Sequence, residues 1–137
     1  MNIEDLMVGD WVLVKELDHD DKTIVVSEYQ HQIKLKDFAE AYDAGKYKVY
    51  EPISLTPGIL EKNGFTNSYI NEKLDKSEIY VWYDVYGYEV TVNMKNNNIK
   101  VKHDTRILLD LWYTEKVPVH ELQLALKHCG IKKEITI

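Results

Sequence analysis

Cysteine is almost missing from this chain: Cys129 is the only one in 137 residues. No internal disulfide can form, so the fold must be held by its core, and a reducing compartment is expected. Only three prolines and six glycines are present, which excludes collagen-like and low-complexity architectures. No apolar run approaches the roughly 18 residues needed to span a bilayer. The opening Met1-Asn2-Ile3-Glu4-Asp5 lacks the basic and apolar regions of a secretion signal, so a cytoplasmic location and no membrane partner are expected. Basic charge is also scarce. Seventeen Lys and Arg face 23 Asp and Glu, a formal net charge of -6, so a general electrostatic pull towards nucleic acid is not expected.

What is abundant is aromatic and apolar. Hydrophobic residues make up 45 % of the chain, with ten tyrosines and three tryptophans. A packed core is within reach, and the β-branched and aromatic content leans towards sheet.

The pattern predicts short strands in the first third. Val8-Gly9-Asp10-Trp11 turns into the apolar Val12-Leu13-Val14, Asp18-His19-Asp20-Asp21 turns into Thr23-Ile24-Val25-Val26, and Gln32-Ile33-Lys34-Leu35 alternates. Phe38 and Tyr42 share a helical face in a turn ending at Gly45, and Tyr47-Lys48-Val49-Tyr50 reads as a fourth strand. Closely spaced strands of this kind predict a small SH3-like β-barrel over residues 1–51. Residues 52–137 then read as an antiparallel sheet with two short helices, the two parts packing as separate domains or as one unit. The class is α+β, mainly antiparallel.

In the second part, Thr56 and Pro57 mark a helix start and Asn63-Gly64 its end. Residues 66–77 are polar and read as a loop. Tyr88, Val90, Val92 and Met94 alternate on one face of a strand, Asn96-Asn97-Asn98 supplies a turn, and Ile99 to His103 returns. Arg106 to Tyr113 fits a strand or a helical turn. Val119, Leu122, Leu126 and Cys129 form one apolar stripe of a helix that Pro118 opens and Gly130 closes. Glu134 to Ile137 reads as a closing strand.

Three segments taken together carry a resemblance. They are Asp5-Leu6-Met7-Val8-Gly9-Asp10-Trp11-Val12, the run from Pro52 to Phe65, and Val119-His120-Glu121-Leu122-Gln123 onward to Ile131. The set resembles a family of small proteins of gut anaerobic bacteria, often found in prophage-like or mobile regions. The resemblance implies an accessory role and no particular mechanism. Members often read His-Glu-Leu-Gln-His in the last helix, where this chain has Leu124.

That substitution decides the most suggestive catalytic motif. His-Glu-x-x-His binds zinc through two imidazoles on one helix face. Here His120 and Glu121 stand without the second His, and a catalytic zinc needs about three protein ligands. His128 lies two turns on, roughly 12 Å away, too far to share an ion. His120 and Glu121 stay as weak candidates for a polar site, and a hydrolase using them is the least favoured option. Asp18, His19, Asp20 and Asp21 lack the alternate spacing, Gly and distal Glu of a calcium loop, so a solvated turn is favoured. Cys129 with His128 or His120 could pair as nucleophile and base, but its place on the apolar stripe favours a buried small hydrophobe. No phosphate-binding glycine loop and no nucleophile elbow is present. No cofactor, no metal and no enzymatic activity are expected.

The remaining candidate is the aromatic segment Tyr80, Trp82, Tyr83, Tyr86 and Tyr88. Aromatics on both faces of one strand need a second covering layer or a partner, and Tyr and Trp dominate interface energetics. The expected function is therefore a non-catalytic protein-interaction or accessory protein, its partner another protein or a second copy of itself. The alternative is a nucleic-acid-binding module on the small barrel, with phosphate contacts from Lys34 and Lys36 or from Lys100 and Lys102.

Overall fold

A computed structural model of the chain describes residues 1–44, 47–68 and 78–137. The chain divides into two compact units, Met1–Ile53 and Ser54–Ile137. Among the described residues it is α+β, with one antiparallel sheet in each unit and few helices. Among the described residues no helix is long and apolar enough to cross a membrane.

The first unit holds β1 (Trp11–Leu17), β2 (Val25–Gln32), α1 (Leu35–Ala44) and β3 (Lys48–Pro52) in the order β2-β1-β3. Val12 and Val14 alternate inwards from β1 and join Leu6, Ile33 and Tyr50 in a small core, with Ile3 and Phe38 packed against it. The expected strand from Gln32 to Leu35 does not form. Ile33 leaves the ladder to exchange backbone bonds with Asp10 and Gly9, and the Asp37 carboxylate then accepts the Lys34 N–H at 2.6 Å and starts α1. A closed SH3-like barrel is not found among the described residues: three strands make an open sheet with β2 and β3 at its edges. Gly45, the expected end of the helical turn, lies outside the described residues.

The second unit holds α2 (Pro57–Lys62), β4 (Thr66–Asn67), β5 (Ile79–Tyr83), β6 (Tyr88–Asn93), β7 (Asn98–His103), β8 (Arg106–Trp112) and α3 (Val119–His128). The sheet is an antiparallel meander in the order β4-β5-β6-β7-β8. Thr66 and Asn67 of the expected loop are strand, and residues 69–77 of it lie outside the described residues. Val90 and Val92 of β6 face Val101 and Ile99 of β7 in register, and all four are fully buried. Val119, Leu122 and Leu126 of α3 are buried too, each large aliphatic side chain contributing about 1.5–3 kcal/mol.

α2 and α3 end alike. After α2, Gly64 takes φ +84°, and the N–H groups of Phe65 and Gly64 donate to the Leu60 and Glu61 carbonyls. After α3, Gly130 takes φ +71°, and Ile131 and Gly130 donate to Leu126 and Lys127. Each is a Schellman ending, where the left-handed position favours glycine. The expected closing strand from Glu134 to Ile137 joins no sheet among the described residues. Its backbone partner is a side chain: the Asn63 amide donates to the Thr136 carbonyl at 2.6 Å and accepts the Thr136 N–H at 2.9 Å.

Candidate interaction surface

The aromatic segment divides into buried and exposed members. Tyr80 and Trp82 lie opposite Val92 and Val90, on the core face of the sheet. Tyr80 is buried, only 6 % exposed. Trp82 is half-buried, with the Phe65 ring 6.5 Å away, the Lys133 ammonium 4.9 Å over its own ring and Gly64 against its edge. The strand stops at Tyr83, because the Asp84 carboxylate accepts the N–H groups of both Tyr86 and Tyr88 at 2.9 Å and closes a turn. Tyr83 and Tyr86 are 65 % and 77 % exposed. Tyr88 is half-buried with its ring 4.5 Å from that of His103, whose Nε2 lies 3.0 Å from the Tyr86 carbonyl. The five residues therefore form no continuous row, and only Tyr83 and Tyr86 of them are largely exposed.

His120 and Glu121 start α3 with His120 Nε2 3.7 Å from the Glu121 carboxylate, beyond hydrogen-bonding distance. His120 Nδ1 is buried with no hydrogen-bond partner among the described residues. Glu121 accepts the Tyr113 hydroxyl at 3.2 Å. Burial, reinforced by the Glu121 charge and this bond, pushes Tyr113 up to about 12. Among the described residues no group of three or more His, Cys, Asp or Glu could hold a metal ion. The Asp18 carboxylate accepts the Asp20 and Asp21 N–H groups, which hold it below the usual carboxylate range, so it closes a turn. Cys129 is half-buried at the end of α3, and burial pushes its thiol up, opposite to the activation a nucleophile requires.

The described structure contains one close His–carboxylate pair that the sequence reading missed. His31 Nε2 lies 2.9 Å from the nearly buried Asp37 carboxylate. Since Asp37 also caps α1, the pair ties β2 to the helix start, and with Lys34 at the cap position no capping-box signature marks it in the sequence. Of the lysines considered for phosphate contacts, Lys100 and Lys102 sit among acidic neighbours in the sheet. Lys100 lies opposite Thr91 and Asp110 in the sheet, and Lys102 lies opposite Glu89, so acidic positions alternate with the basic ones.

The larger surface feature is β8, the last strand of the meander. Its seven residues read Arg-Ile-Leu-Leu-Asp-Leu-Trp, and one side of the strand pairs with β7. Ile107 and Trp112 are 53 % and 63 % exposed, and Leu108 is exposed beside them. A register shift between Val101 and Lys102 makes Leu108 the extra residue of a β-bulge. Between β8 and α3 runs a groove of about 780 Å³, lined by Leu109, Leu111 and Trp112 on the strand side and Leu124 and Ala125 on the helix side, with Tyr113, Glu121 and His128 as its polar groups. The helix thus carries two stripes. Val119, Leu122 and Leu126 point into the core, while Glu121, Leu124, Ala125 and His128, spaced i, i+3, i+4 and i+7, line the groove. Leu124, the residue that breaks the zinc motif, is a groove wall. The size and the apolar lining with few polar groups suit a binding cleft. Comparison of the chain with protein-family models, with curated proteins and with solved structures finds no match.

Proposed function

We propose that this chain is a non-catalytic protein-interaction protein, and that its docking face is the outer edge of β8 with the groove beside α3. The observation that carries the reading is an apolar edge strand with Ile107, Leu108 and Trp112 exposed. Edge strands are ordinarily shortened, charged or covered, because their unpaired N–H and C=O groups are a template for another strand. An apolar edge beside an apolar groove suits addition of an extended segment, whose backbone bonds to the strand while alternate side chains enter the groove.

An accessory role in a prophage or mobile element follows from the family resemblance, and a cytoplasmic location from the lone Cys129. The SH3-like reading of the first unit stays with the turn-and-strand pattern from Val8 to Val14, on the open three-stranded sheet.

The test is selection from a displayed library of random peptides with the full chain as bait. Enrichment of apolar-alternating sequences is expected, and the double variant Leu108→Lys, Trp112→Ser should lose it while keeping its melting temperature. No enrichment, or equal enrichment by the variant, refutes the reading.

A further inference from the structure

The edge and the groove specify their occupant. Among the described residues no strand pairs with the outer side of β8, which asks for an extended backbone, and the groove asks for apolar side chains on the α3 side of the sheet. At the Trp112 end the groove presents the Glu121 carboxylate, which holds a tyrosine hydroxyl and stands 3.7 Å from His120. A cationic side chain arriving there finds an anion in an apolar setting, where a charge pair is stronger than in water. The occupant is therefore an extended apolar segment with one basic residue near its end. β8 is itself such a segment, with Arg106 followed by three consecutive aliphatics.

We infer that the occupant is β8 of a second copy of this chain, laid antiparallel about a two-fold axis at Leu109. The inference rests on the β8–α3 face being the docking surface. The bulge makes the geometry work. Arg106 pairs with His103, Leu109 with Val101 and Leu111 with Ile99, so despite the three-residue step from 106 to 109 all three point to the same side of the sheet. That side carries the buried Val101 and Ile99 and faces the α3 groove. With Leu109 opposite Leu109, and one residue allowed for the bulge, Arg106 of one copy falls opposite Leu111 of the other. It arrives two residues before Tyr113, whose hydroxyl is bonded to Glu121. The guanidinium of each copy thus meets the Glu121 of the other. Among the described residues Arg106 makes no ion pair within its own chain. The contact is isologous, so both edges and both charge pairs are satisfied at once and the assembly closes as a dimer.

Sedimentation equilibrium of the full chain tests this, with native mass spectrometry to identify the species. The wild type should dimerise in a concentration-dependent way. Arg106→Glu alone and Glu121→Arg alone should each weaken self-association at least about tenfold, since like charges face each other at the interface. An equimolar mixture of the two variants should restore the dimer as a heterodimer, because each reversed charge then meets its opposite. Thermal melts check that each variant is folded, and Glu121→Lys replaces Glu121→Arg if the latter is not. A monomeric wild type overturns the second copy as occupant and leaves the peptide-selection result standing. Variants that dimerise as tightly as wild type, or charge-reversed variants that fail to pair in the mixture, overturn the assigned contact.

Discussion

Asn63 is the most informative residue to perturb. It is buried at the end of α2, and its side-chain amide replaces a strand partner for the C-terminal segment. Nδ2 donates to the Ile59 carbonyl at 2.7 Å and to the Thr136 carbonyl at 2.6 Å, while Oδ1 accepts the Thr136 N–H at 2.9 Å. Each such bond contributes about 1 kcal/mol net, and a buried group left without its partner costs more. The Ile59 carbonyl keeps the Asn63 backbone N–H at 3.2 Å, so Asn63→Ala should cost about 2–3 kcal/mol. Asn63→Asp should cost more at neutral pH, about 3–5 kcal/mol, because a carboxylate oxygen then faces two carbonyl oxygens in a buried site. That environment raises the introduced carboxyl's folded pKa above its unfolded value. The protonated form can still donate, so the stability it contributes is full below the unfolded value and is lost as pH rises through the folded one. Lowering the pH should therefore close the gap between the Asp and Ala variants. Urea unfolding across pH, followed by amide exchange in residues 78–137, measures this. An Asn63→Ala cost below about 0.5 kcal/mol, or a gap unchanged by pH, would refute the clasp.

Leu126→Ala should cost about 2–5 kcal/mol, as for a buried aliphatic truncation, whereas Leu124→Ala on the groove wall should cost clearly less; thermal melts that rank them the other way would invert the two helix stripes. Tyr113, raised by burial and by Glu121 to about 12, contributes stability that is complete below the unfolded tyrosine value and falls as pH rises towards 12. Tyr113→Phe should thus lose less stability than wild type between roughly pH 10 and 12, and identical alkaline profiles would contradict this. Cys129, raised by burial, should react with a disulfide reagent at neutral pH more slowly than in the urea-unfolded chain, and equal rates would show an open thiol.

The sequence made the elements legible where local chemistry acts alone. The Thr56 cap accepts the Ile59 N–H at 3.1 Å, both glycine helix endings adopt positive φ, and the hairpin from Tyr88 to His103 buries the predicted Val90 and Val92. What was hidden depended on residues distant in the chain. Glu134 to Ile137 has a strand-like pattern, but an asparagine side chain supplies its partner. The aromatic run reads as one strand, and Asp84 ends it by taking two N–H groups. Arg106 to Tyr113 fits a strand or a helical turn because its apolar residues fall at both parities, and its place at the end of the meander is not encoded locally. The groove could not be seen without that placement, although Leu124 was already marked as the residue standing where a zinc ligand would be.

The clasp at Asn63 also bears on the order of events in folding. β5 to β8 are consecutive hairpins, so their contacts close short loops, whereas the Asn63–Thr136 bonds join residues 73 apart. Loop-closure entropy favours the meander as the early structure and leaves the clasp until after the rate-limiting step. A contact made that late leaves refolding nearly unchanged when removed and appears almost wholly as faster unfolding. Asn63 would then act as a latch on the lifetime of the folded state, and the two arms of a chevron plot for Asn63→Ala would separate that role from one in nucleation.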